Sequence, residues 1–183
     1  MKKSRNNVFE TNSSSCHSIS FDSSSAPDMN GLKLYVDGSG EYGWQQDEIV
    51  NCDEKLDYAV VAFFDQASKY LPGDTPVGEV KEKLDKLKSE LETKIGEAID
   101  KVTECFERHG VILVWDEKLR EVDVNEKWLW VRGKCPGYID HQSAPREGGD
   151  SAVLAEWFAK DPEALYKFVF NGSTITLDND NHD

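Results

Sequence analysis

The sequence predicts an α+β fold: a twisted, mainly antiparallel sheet with a helical hairpin that contains one long helix. Three observations predict it. Short alternating or apolar segments at 32–36, 111–115, 128–132 and 173–177 read as strands. Two segments between the first and second of these carry apolar residues at helical spacing. With 183 residues, 38% hydrophobic and 31% charged, the chain has enough apolar material for one core and fits a single domain over 1–183.

The first 30 residues read as largely irregular, because Ser, Asn and Asp compete for backbone hydrogen bonds. Within them Ser18-Ile19-Ser20-Phe21 alternates like a short strand. Leu32 to Val36 forms the next strand, ended by Asp37-Gly38, and a glycine-rich turn follows through Gly40, Gly43 and Trp44. Asp53 is placed to cap a helix running to about Tyr70, with Leu56, Val60, Phe63, Phe64 and Ala67 on one face. Pro72-Gly73 stops it.

Thr75 is expected to cap the long helix, with Pro76 at its first position and His109-Gly110 closing it. Val77, Val80, Leu84, Leu87, Leu91, Ala98, Val102 and Cys105 make its apolar seam, with Lys94 filling one position. That seam can dock within the chain or pair with a second copy as a homodimer. Beyond Gly110 come strands at 111–115 and 128–132, then helices at 151–159 and 162–168, the second capped by Asp161. A strand at 173–177 and a polar tail at 178–183 finish the chain.

No apolar run approaches the roughly 20 residues that span a bilayer. Met1-Lys2-Lys3-Ser4-Arg5 is followed by polar residues where a signal peptide needs an apolar stretch, so a cytoplasmic protein is expected. Cys16, Cys52, Cys105 and Cys135 are scattered and read as reduced thiols. The net charge of −14 disfavours direct contact with nucleic acids or anionic membranes and suits a basic macromolecular partner.

Walker, GxGxxG, GxSxG and HExxH signatures are absent, and the acidic pairs Asp47-Glu48, Asp53-Glu54 and Asp116-Glu117 read as turn or helix-start residues. A Cys/His/Asp site could assemble from Cys16, His17, Asp140 and His141, but neighbours on an extended chain point in different directions. No zinc-ligand spacing stands out, so neither metal nor cofactor is expected. Lys127, Arg132 and Lys134 flank Trp128 and Trp130, a combination that can stack on single-stranded nucleic acid or simply serve as core. On the long helix, Glu82, Asp85, Glu90, Glu92, Glu97 and Glu104 form the favoured partner-binding face, interspersed with lysines.

The stretch Val8-Phe9-Glu10-Thr11-Asn12-Ser13-Ser14-Ser15-Cys16-His17-Ser18 resembles the opening of a group of small proteins of Firmicutes phages and mobile elements. Tyr138 to Ser143, Phe168 to Asn171 and Asp178-Asn179 resemble the same group. Some acidic phage proteins of this size are anti-CRISPR inhibitors, so the resemblance implies a mobile-element origin and an inhibitor of a type II RNA-guided nuclease bound to its guide RNA. A small Cys/His/Asp enzyme and a dimeric structural or assembly protein are the alternatives.

Overall fold

The computed structural model describes residues 15–43, 47–140 and 149–179. Helix α1 (Cys52–Ala67) lies at its centre because its middle is apolar all round. Tyr58 to Phe64 are seven consecutive buried residues, so the single face expected from Leu56, Val60, Phe63, Phe64 and Ala67 is only part of what α1 buries. Helices α3 (Ala152–Lys160) and α4 (Pro162–Phe170) cover the other faces, and Phe63 stacks on Phe158 with ring centroids 4.6 Å apart. The N-cap of α1 is Asn51, not Asp53; Asp53 and Glu54 occupy the first turn, where the helix dipole favours carboxylates. The helix ends at Ala67, earlier than expected, and Lys69–Tyr70 form a short strand, β5 in the numbering used below.

Lys55 is the exception on this apolar helix. It is fully buried, and its Nζ donates to the carbonyls of Asn171 (3.0 Å) and Ser173 (3.1 Å) beyond the end of α4. The Phe168 ring lies 5.6 Å beneath the ammonium, and burial pulls the lysine pKa down.

Helix α2 (Val77–Arg108) has 32 residues, about 48 Å at 1.5 Å each. Pro76 stands at its N-cap, and the Thr75 hydroxyl, expected to cap it, instead donates to Pro72 O at 2.7 Å. At the other end His109 is the C-cap and Gly110 turns the chain with φ +78°, a conformation glycine adopts without Cβ strain. The buried stripe is Leu84, Leu91, Ile95, Ala98, Ile99, Val102, Cys105 and Phe106. Lys94 is exposed, and Ile95 takes the seam position expected for it.

That stripe packs on β6 (Val111–Trp115), β7 (Val122–Asn125), β8 (Trp130–Gly133) and α4. Strand β8 comes between the two long helices: a Cβ on Gly133 would run into the Phe64 ring of α1 and stand 2.9 Å from Ile95 Cδ1 of α2. With Leu84 to Phe106 spent inside the chain, the 77–105 seam leaves Val77 exposed and Val80 and Leu87 half-buried.

The α+β class holds, with the strands divided among four small sheets in the described residues. Strands β1 (Ser15–Ser20), β10 (Thr174–Asn179) and β4 (Asp47–Ile49) form an antiparallel sheet in the order β1-β10-β4. Strands β5, β8 and β7 form a second antiparallel sheet. Strand β2 (Leu32–Val36) runs parallel to β6, and β3 (Glu41–Tyr42) parallel to β9 (Tyr138–Ile139). Parallel partners need a long crossover, which α1 and α2 supply between β2 and β6.

Four local expectations change. The first strand, expected at 18–21, begins at Ser15 and excludes Phe21. Strand β8 starts at Trp130, after Leu129 turns with φ 55°. Asp47 and Glu48 belong to β4, not to a turn or helix start. Asp178 and Asn179 belong to β10, while the rest of the tail, 180–183, lies outside the described residues. Asp116 does cap, its side chain accepting from Lys118 N at the head of a 3-10 turn (Glu117–Arg120), and Asp161 caps α4 through Ala164 N.

Candidate functional site

Strand β1 delivers His17 into the core opposite Leu177 of β10, leaving it 3% exposed. Its Nδ1 lies 3.0 Å from the Tyr58 hydroxyl and its Nε2 3.3 Å from the Gly43 carbonyl. A carbonyl can only accept, so Nε2 carries the proton and Nδ1 accepts from Tyr58. Burial lowers the imidazole pKa, while the Gly43 bond and the Asp140 carboxylate pull it partly back. The ring is neutral at pH 7.

A second polar pair adjoins the first. The Tyr42 ring packs 4.7 Å from that of Tyr58, and its hydroxyl donates to Asp57 Oδ2 at 2.9 Å. Gly40 N donates to the same oxygen. Burial raises the Asp57 pKa against these two bonds, and burial likewise raises both phenols. Asp140 N donates to Tyr42 O, fastening the end of β9 to β3.

Of the four residues proposed for a Cys/His/Asp site, the fold therefore brings His17 and Asp140 into electrostatic contact. Cys16 stands opposite Asp178 in the β1–β10 register, with its side chain outside the described set; His141 also lies outside the described residues. The described members are hydrogen-bonded, and His17, Tyr42, Tyr58 and Asp140 are buried, with protonated phenols and a neutral imidazole. Such a network suits fixing β1, β3, β9 and α1 to one another.

The six carboxylates favoured on α2 are all exposed, outside its buried stripe. Glu90, Glu92 and Glu97 face Lys86, Lys88 and Lys101 one turn away, at 3.9, 3.7 and 4.0 Å. Glu82, Asp85 and Glu104 have no cation within ion-pair distance among the described residues. Across α2 nine acids meet seven bases, so this helix carries little of the net −14.

The charge is concentrated elsewhere. Residues 37–57 hold seven acids, Asp37, Glu41, Asp47, Glu48, Asp53, Glu54 and Asp57, against one base, Lys55. All but Asp57 are exposed, and Lys55 is turned inward to carbonyls. Asp37, Asp47, Glu48, Asp53 and Glu54 form no ion pair among the described residues. Asp47 and Glu48 lie on β4, the edge of its sheet. A running charge count along the sequence marks this segment.

The tryptophan-rich strand is occupied by its own cations. Arg132 lies 4.6 Å over the Trp130 ring and Lys127 5.2 Å over Trp128, while Lys134 reaches Glu121 at 2.6 Å. A cleft of about 360 Å³ beside it is lined by Asp37, Asp116 and Asp123 as well as Lys118, Arg132 and Lys134. At its wall the Cys135 thiol donates to Gly38 O at 3.2 Å, and burial pushes its pKa up to about 12, which suppresses thiolate chemistry. No helix among the described residues is long and apolar enough to cross a membrane. No family model matches the chain, and no curated protein or solved structure is similar to it.

Proposed function

We propose that this chain is a non-catalytic, acidic binding protein of mobile-element type that inhibits a partner with a positively charged channel. The partner class is the guide-loaded nuclease of a type II CRISPR system, met in the cytoplasm of a bacterial host. The observation that carries the reading is the set of exposed carboxylates Asp37, Asp47, Glu48, Asp53 and Glu54, on and around β4 and the start of α1, which form no ion pair among the described residues. RNA-guided nucleases hold nucleic acid in basic channels and read a short DNA motif with arginines, so a rigid anionic surface can compete for those groups. Complementary charge speeds such an encounter and makes it sensitive to salt. Two further features favour binding over turnover: His17 is buried and hydrogen-bonded on both ring nitrogens, and the Cys135 thiol is held protonated.

Compared with the α2 face, the 37–57 strip is the better contact surface, because half of the six α2 carboxylates already face lysines. The test is a titration of the protein into a guide-loaded type II nuclease during DNA cleavage, at several salt concentrations. Inhibition that saturates near one protein per nuclease and weakens with salt is expected. Inhibition at a small fraction of the nuclease concentration points to an enzyme, and none at large excess removes that nuclease as the partner.

A further inference from the structure

We propose that Cys105, His109 and Glu163 form a divalent-metal site of zinc type, with Asp28 orienting the imidazole from behind. Cys105 and His109 lie four residues apart in the last turn of α2 and its C-cap, and so share one face. Glu163 comes from the first turn of α4, which packs against that face. His109 Nε2 stands 3.1 and 3.2 Å from the two Glu163 oxygens, and Cys105 Sγ 3.5 Å from Oε2. All three ligand atoms fall within 4.8 Å of one another. Around a tetrahedral zinc with bonds of about 2.0 Å to N and O and 2.3 Å to S, ligand atoms stand about 3.3 to 3.6 Å apart. The imidazole–carboxylate and thiol–carboxylate separations are therefore already close to the edges of that tetrahedron, and the thiol and imidazole have at most 4.8 Å between them.

The surroundings fit a ligand set. Asp28 Oδ1 lies 3.0 Å from His109 Nδ1, the carboxylate–imidazole arrangement that directs Nε2 toward a metal. The imidazole stacks on Tyr166 with centroids 4.0 Å apart and planes at 16°, which fixes its plane. Tyr166 in turn donates to Pro27 O at 2.8 Å, holding the segment that carries Asp28. Cys105 is fully buried, while His109 and Glu163 are partly exposed, so an ion has access from solvent and a water can complete the fourth position. Thiolate, imidazole and carboxylate together favour zinc-like ions over magnesium or calcium, which prefer oxygen alone. Binding displaces the Cys105 thiol proton, and the Nε2 proton where the ring is charged; both go to solvent, and nothing is oxidised or reduced.

The experiment treats the full chain with chelator, removes the chelator, and titrates Co²⁺ followed by Zn²⁺. A thiolate-to-cobalt charge-transfer band at one ion per chain, displaced by Zn²⁺, is expected. Cys105→Ser should abolish the band, His109→Gln and Glu163→Gln should each weaken binding at least tenfold, and Asp28→Asn about 10- to 100-fold. Cys52→Ser should leave it unchanged. The proposal is overturned if no band forms, if the band survives Cys105→Ser, or if it needs Cys52 instead. It is equally overturned if metal binds at several sites without regard to His109, which marks the acidic surface alone. Should Cys105→Ser fail to fold, unchanged bands in both His109→Gln and Glu163→Gln overturn it.

Discussion

The Tyr58 hydroxyl donates to Nδ1 of His17 across 3.0 Å, joining an outer strand to the middle of the central helix. Both groups are buried, so neither has water to fall back on. Tyr58→Phe removes the donor and keeps the ring. The protein should lose about 1–3 kcal/mol of unfolding free energy in urea. A double-mutant cycle with His17→Phe should return a coupling of about 0.5–3 kcal/mol; a coupling near zero would mean the bond contributes nothing.

His17 also sets a pH dependence. Its pKa is lowered from 6.5 in the folded chain, chiefly by burial, so in the window between the two values the unfolded chain binds more protons. Its stabilising contribution is complete above pH 6.5 and is lost as pH falls toward the lowered folded value. Denaturation midpoints should drop over that window in the native chain and drop less in His17→Gln. Equal slopes in the two proteins would remove this role.

Lys55 separates charge from volume. Lys55→Met keeps most of the stem packing but leaves the Asn171 and Ser173 carbonyls without their shared donor, and should cost about 1–3 kcal/mol. Lys55→Ala adds a cavity and should cost more. Thermal melts of the two variants order the contributions; equal costs would mean the ammonium bonds carry the whole effect.

Along α2, Leu91→Ala should cost about 2–5 kcal/mol because Leu91 is 2% exposed. Val77→Lys, at 93% exposed, should change stability by less than about 0.5 kcal/mol. A homodimer built on the 77–105 seam predicts the opposite for Val77→Lys, namely a loss of dimer by sedimentation.

Charge reversal discriminates the two acidic surfaces. Asp47→Lys with Glu48→Lys should slow association with the nuclease by tenfold or more at low salt and flatten its salt dependence. Glu90→Lys with Glu92→Lys should change the rate far less. The reverse order, read by stopped-flow or surface binding, would return the contact to α2.

Helix α2 was legible in the sequence because 3.6-residue spacing over many turns, with Pro76 before it and Gly110 after it, leaves no competing period. The phase slipped at Lys94 and Ile95, and the expected seam counted the exposed Val77 while missing the buried Ile99 and Phe106. Helix α1 was legible as a helix but not as the centre, since a run such as Tyr58 to Phe64 does not say how many neighbours cover it. Strand partners were out of reach: nothing near Leu32 announces that Val111 will lie beside it. The polar sites failed the same way. His109 was readable as a helix end, and its spacing from Cys105 was visible, but Glu163 and Asp28 arrive from distant segments that only the packing of α4 and Tyr166 brings together.

Strand β10 lies between β1 and β4, pairing Ser15 with Asn179 on one side and Ile49 with Ile175 on the other. Neither outer strand touches the other, so both must wait for one of the last described segments to leave the ribosome. During synthesis the acidic edge at Asp47 and Glu48 has no sheet to belong to. The Asp47–Glu48 edge thus comes into being only once Thr174–Asn179 has been made, and a nascent chain stalled before Thr174 would carry these two acids without the strand that aims them.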